Sequence, residues 1–194
     1  MTIRSLSMVC AILIATAFTG ASAQIVVSIG HSRASACYLA AKTGFSPEDG
    51  IKICDESLRD ENLSLTDRAA TYDNRGILEN AIGKFDMALV SFNAAIATNG
   101  SLGDAYVNRG AILIRQKKYE DALADINKGI GLGMSSPHIG YYNRAAAEEL
   151  IGRYSEAYYD YMHALELEPS FVAARERLKI FTVIRPGAAP ANQS

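Results

Sequence analysis

The chain has 194 residues, with 19 Lys and Arg against 21 Asp and Glu and a formal net charge of −2. That balance excludes the clustered cationic surplus of a nucleic-acid footprint. Ala, Leu and Ile dominate the apolar residues, Trp is absent, and Gly and Pro gather at boundaries rather than at strand-length intervals, a pattern that predicts an all-α chain.

At the start, Arg4 precedes an apolar run from Met8 to Phe18 and the small-residue stretch Thr19-Gly-Ala-Ser-Ala23. This is the three-part layout of a secretory signal peptide over residues 1–23, with cleavage expected after Ala23. The run is about half of the ~20 apolar residues a spanning helix needs. The expectation is therefore an exported protein, periplasmic or secreted, with no stable membrane anchor and a folded region over residues 24–183.

Residues 31–64 read as a degenerate helix hairpin. Matching Glu48-Asp49 to Glu120-Asp121 puts Gly50 at the place of Ala122, Cys54 at that of Ile126 and Cys37 at that of Arg109. Ser46 followed by Pro47 predicts a helix start, with Ser as the cap and Pro in the first turn. In an oxidising compartment Cys37 and Cys54 are placed to join as a disulfide. Two buried free thiols, or redox or metal chemistry, are the alternatives, although 16 intervening residues suit neither a CxxC motif nor paired zinc ligands.

From Ala69 onward one phrase recurs: YDNRG from Tyr72, YVNRG from Tyr106 and YYNRA from Tyr141. The units run over 69–102, 103–137 and 138–171. Each carries an aromatic (Tyr72, Tyr106, Tyr141) and a small residue four places on (Gly76, Gly110, Ala145). A second half follows, with an aromatic (Phe85, Tyr119, Tyr154), a small residue (Ala88, Ala122, Ala157), a bulky one (Phe92, Ile126, Tyr161) and another small one (Ala95, Gly129, Ala164). Spacings of three and four put these on one helical face. A break at Gly83, Lys117-Lys118 or Gly152 predicts the turn of an antiparallel hairpin.

Small residues let two helices cross closely, and Gly76 is expected to face Ala88, Gly110 to face Ala122, and Ala145 to face Ala157. Arg109 lies 16 residues before Asp125, and Arg144 lies 16 before Asp160, which predicts an ion pair across each hairpin. Ser91 leaves Arg75 without that partner. A single hairpin of this length cannot cover its own apolar face, so stability must come from stacking. Residues 172–183 read as a solvating cap helix, and 184–194 as a disordered tail.

These features resemble the tetratricopeptide repeat, with unit three the nearest match through Gly152-Arg-Tyr154, Ala157, Tyr161, Ala164 and Pro169. Departures are Arg in place of the usual Leu before the small residue, and Glu79, Leu113 or Glu148 where an aromatic is usual. The resemblance implies a right-handed α-solenoid of stacked antiparallel hairpins. It also implies a concave groove lined by the first helix of each unit: Asp73, Asn74, Ile77 and Asn80; Val107, Asn108, Ala111 and Ile114; Tyr142, Asn143, Ala146 and Glu149. Asn74, Asn108 and Asn143 would form an amide ladder offering donor and acceptor to an extended peptide, or would instead bond neighbouring backbone. The family's clamp for a C-terminal carboxylate uses Lys and Asn, then Asn, then Lys and Arg. The matching positions here hold Asp73 and Ile77, Asn108, then Ile139 and Asn143, so only Asn108 agrees.

No catalytic motif stands out. His31, His138 and His163 have no metal-ligand spacing, and Gly129-Ile-Gly-Leu-Gly133 follows a helix rather than a strand. The expectation is a non-catalytic protein-binding module of the cell envelope without cofactor or metal, its partner a peptide or protein segment. A structural, self-associating subunit is the alternative. Tyr142 toward the groove and Tyr158 or Tyr159 toward the outside are candidate anchors.

Overall fold

The computed structural model describes residues 32–60 and 62–181. The expected signal peptide and the tail lie outside the described residues. Helix α1 (Arg33–Thr43) pairs with α2 (Pro47–Asp60), α3 (Leu65–Ala81) with α4 (Phe85–Thr98), α5 (Gly103–Arg115) with α6 (Tyr119–Leu132), and α7 (Pro137–Leu150) with α8 (Tyr154–Leu167). Helix α9 (Val172–Leu178) follows. Each packs on the next, and the hairpins stack as a right-handed α-solenoid.

The ends of these helices follow local chemistry. Ser32 Oγ accepts from Ser35 N at 3.1 Å and Ser64 Oγ from Asp67 N at 3.0 Å, each satisfying an orphan donor of a first turn. Ser46 departs from the expected cap: its φ is +47°, and its hydroxyl donates to Asp49 Oδ2 at 2.6 Å. The turns inside the three regular hairpins share one left-handed residue, Gly83 (φ +77°), Lys117 (φ +60°) and Gly152 (φ +82°). Gly takes that conformation without steric penalty, whereas Lys117 carries a Cβ there.

Crossing contacts extend one expectation. A Cβ on Gly76 would lie 2.5 Å from Phe92 Cε1, and one on Gly110 would lie 2.6 Å from Ile126 Cγ1. The small residue of the first helix therefore also seats the bulky residue of the second, beside the expected alanine: a Cβ on Gly110 would lie 3.2 Å from the Ala122 oxygen, and Ala145 and Ala157 share one core cluster. Gly129 and Gly133 find their explanation in the same way. A Cβ on Gly103 would lie 2.1 Å from the Gly133 carbonyl oxygen and 2.6 Å from that of Gly129, so α5 and α6 meet backbone to backbone.

The phrase that opens each unit also sets its polar contacts. The guanidinium lies over the tyrosine three places before it, at 5.3 Å for Arg75 on Tyr72, 5.6 Å for Arg109 on Tyr106 and 5.1 Å for Arg144 on Tyr141. Arg109 donates to Asp125 from Nε at 2.6 Å and Nη2 at 2.7 Å, and Arg144 to Asp160 at 2.6 and 2.8 Å, as the 16-residue spacing predicts. The remaining nitrogen reaches back to the preceding hairpin. Arg109 Nη1 donates to Asn93 Oδ1 at 2.7 Å, and Arg144 Nη1 to Asn127 Oδ1 at 2.8 Å. Arg75 is not left without partners. It donates to Ser91 Oγ at 3.0 Å and to Asp55 Oδ1 at 2.7 Å, in the slot equivalent to Asn93.

At the first hairpin, Cys37 and Cys54 are fully buried, bridged to each other and packed with Leu78 of α3. The cap is shorter than expected. After Leu178 the chain turns tightly, with Ile180 N donating to Arg177 O and Phe181 N to Leu178 O. Phe181 is thereby folded onto Tyr158 and Tyr161, with ring centroids 5.9 and 6.0 Å apart.

Candidate functional site

A curved stack is tightest on its inner side. Helix α1 touches α3, α3 touches α5 and α5 touches α7, whereas second helices make no comparable contact among the described residues. The first helices accordingly line the concave surface, and the twelve expected groove residues all belong to these helices.

Seven of them are partly exposed: Asn74, Ile77 and Asn80 on α3, Ala111 and Ile114 on α5, and Asn143 and Ala146 on α7, with Ile77 also packed on the Ala88, Phe92 and Ile112 cluster and Ile114 on that of Val107, Ala122 and Ile126. Ile77, Ala111 and Ala146 fall in register as an apolar row, and Asn74 and Asn143 flank it. At the N-terminal end, Ser35, Tyr38, Asp67, Thr71 and Asn74 enclose an open cleft of about 560 Å³.

The other five are spent on the fold. Val107 is fully buried, packed with Ala122 and Ile126 because Gly129 lets α6 close over it. Asp73 is also buried and accepts from Asn108 Nδ2 at 3.0 and 3.2 Å, which removes the middle rung from the amide ladder and clasps α3 to α5. Burial pushes the Asp73 carboxyl up to about 7, with the Asn108 bond acting against burial and the charge of Asp104 acting with it. Tyr142 turns onto Phe171 and Tyr161, with ring centroids 5.2 and 5.4 Å apart, and is a core aromatic rather than a groove anchor. Glu149 accepts from the Tyr161 hydroxyl at 3.0 Å and pairs with Arg177 of α9. The Arg177 bond holds its carboxyl below the usual range.

Sequence reading missed the inter-hairpin contacts of Asp55, Asn93 and Asn127. A signal for them existed: each directly follows the bulky residue of its second helix, Cys54, Phe92 and Ile126. Tyr159, by contrast, lies where one of the outer anchors was expected, 71% exposed on α8.

No family model matches the chain. It is 30% identical over 161 residues to RNA polymerase II-associated protein 3 of Mus musculus, covering 77% of this chain and 22% of that protein. It is 34% identical over 117 residues to heat shock protein STI1 of Saccharomyces cerevisiae, covering 60% of this chain and 19% of that one. The chain thus spans about a fifth of the length of these curated relatives. Among solved structures, the first TPR of Spaghetti (RPAP3) bound to the HSP90 peptide SRMEEVD aligns with a TM-score of 0.55 at 27% identity, over 59% of this chain and 90% of that one. The second TPR domain of human RPAP3, in complex with the HSP70 peptide SGPTIEEVD, aligns with a TM-score of 0.54 at 27% identity, over 60% and 96%. MamA 41-end from Desulfovibrio magneticus RS-1 shares the fold at 18% identity, with a TM-score of 0.58 over 76% of this chain and 82% of that one. Two-helix units at a 34- to 35-residue period, small-against-bulky crossings and these alignments together establish that the chain has the tetratricopeptide-repeat fold.

Proposed function

We propose that this protein is a non-catalytic interaction module that holds an extended peptide or protein segment along α3, α5 and α7. The observation that carries this reading is the row of Ile77, Ala111 and Ala146 at equivalent positions of the first helices, each partly exposed, with the partly exposed carboxamides of Asn74 and Asn143 on the same helices. Apolar side chains of a ligand would cover the row, and the amides would bond its backbone whatever its sequence. Its ligand differs from the acidic C-terminal peptides held by the RPAP3 domains. Asp73, Ile77, Ile139 and Asn143 stand where a carboxylate clamp needs other residues, and the one matching amide, Asn108, is committed to Asp73. An envelope location is part of the proposal. It is supported by the signal-like residues 1–23 and by the Cys37–Cys54 bridge, which suits an oxidising compartment.

Site-specific photocross-linking tests the groove. A probe at Ala111, on the inner face, should form an adduct in the native compartment, while one at Ala124 on α6 should not. Adducts from position 124 with none from position 111 would place the ligand elsewhere. A second reading, an assembling subunit, rests on the exposed Tyr154, Tyr159, Met162 and Leu167 of α8. Light scattering decides it, since a mass that does not change with concentration removes self-assembly.

A further inference from the structure

The three regular hairpins, α3–α4, α5–α6 and α7–α8 in turn, place different charges at equivalent positions. In the first, Glu79 of α3 is buried but served, accepting from Ser91 Oγ at 2.5 Å and lying 3.7 Å from Arg75 Nε. In the second, the equivalent residue is Leu113, so Arg109 faces Asp125 alone. In the third, Glu148 and Asp160 are both acids near one guanidinium, which is bonded to Asp160. Arg144 commits Nε and Nη2 to Asp160 and Nη1 to Asn127. Glu148 is 9% exposed, and its Oε2 is buried without a partner.

We propose that the third hairpin is a proton-gated joint: Glu148 carries a proton when α7 is closed on α8, and releasing that proton to solvent loosens this pair of helices. The charges around it come from every side of the hairpin. Arg144 lies on α7, Arg153 in the turn, and Asp160 and Glu156 on α8. On the α6 side the same network ends in the neutral Asn127. Burial and then the Asp160 carboxylate push the Glu148 acid up to about 7, against the partial help of Arg144 and Arg153. The sign follows from linkage. The folded hairpin binds this proton more tightly than the unfolded chain, so stability falls as pH rises from the ordinary value of 4.5 toward 7 and levels off above it. Asn143 and Ala146 ride on α7, which puts the joint at the C-terminal end of the inner surface.

Amide hydrogen exchange read by mass spectrometry tests this locally, because Asp73 titrates in the same range but lies on α3. After correction for intrinsic exchange, protection of α7–α8 in the wild type should drop about tenfold between roughly pH 6 and pH 8. Glu148→Gln, a neutral near-isostere, and Glu148→Leu, the second hairpin's residue, should each abolish that drop. Unchanged wild-type protection across this range, or a drop that persists in Glu148→Gln, overturns the proposal. The glutamine variant keeps the test decisive if the leucine variant folds poorly.

Discussion

Replacing Gly103 by Ala asks how tightly α5 and α6 are locked. The added Cβ would stand 2.1 Å from the Gly133 oxygen and 2.6 Å from the Gly129 oxygen, where ordinary contact begins at 3.4 Å. Both obstacles are backbone, so no rotamer change relieves them and the helices must separate. Overpacking of this kind costs about 1–3 kcal/mol. Higher helix propensity returns at most about 1 kcal/mol, and less at the first turn than in the middle. A net loss of about 1–2 kcal/mol, at about 2–4 °C per kcal/mol for a domain of this size, lowers Tm by roughly 2–8 °C. Gly131→Ala is the matched control: it sits in α6 with nothing within 4 Å of the new Cβ, and should stabilise by about 0.5–1 kcal/mol. Thermal melts followed by far-UV circular dichroism measure both. If the two alanines shift Tm equally, the backbone-contact reasoning is refuted.

Other expectations follow from the same geometry. Reducing the Cys37–Cys54 bridge releases a loop of 16 intervening residues and should destabilise by about 3 kcal/mol, seen as a lower denaturant midpoint with reductant. A free-thiol titration that finds both cysteines reactive before reduction contradicts the bridge. Burial raises the Asp73 acid from 3.8 to about 7, so its contribution to stability is fully present below the lower value and lost as pH rises to the upper one. Asp73→Asn should flatten that part of the stability profile, and a profile of unchanged slope refutes the assignment. Arg109→Ala strands the mostly buried Asp125 and frees Asn93, and should cost about 1–3 kcal/mol by chemical denaturation. Lys117→Gly relieves the left-handed turn and should raise Tm slightly, by up to about 1 kcal/mol of stability.

What the chain made legible was whatever depends on spacing alone. The period, the hairpin turns and the pairs from Arg109 to Asp125 and from Arg144 to Asp160 need only a regular helix and a turn midway. What stayed hidden depends on how far one helix rotates against the next. Asp73 and Asn108 both belong to the inner face by register, yet a small rotation brings them together and takes both from the groove. Tyr142 and Glu149 are withdrawn by Phe171, the last residue of unit three, and by Arg177 of α9, whose reach no periodicity encodes. Gly76 is nearest to Phe92, a bulky residue one turn beyond Ala88 along α4, a detail that depends on where the two helices cross.

The arginine that opens each unit gives the array a direction. It holds its own hairpin with some of its nitrogens and grips the hairpin before it with another, and the series stops where Met162 replaces the amide and Leu178 occupies the arginine's register. Interior modules are thus interchangeable links. Excising residues 103–137 is expected to bring Arg144 to the Asn93 left by the preceding module and so to keep the grip between hairpins. Among the described residues the last link is made differently, by Arg177 on Glu149 and by the rings of Phe171 and Phe181.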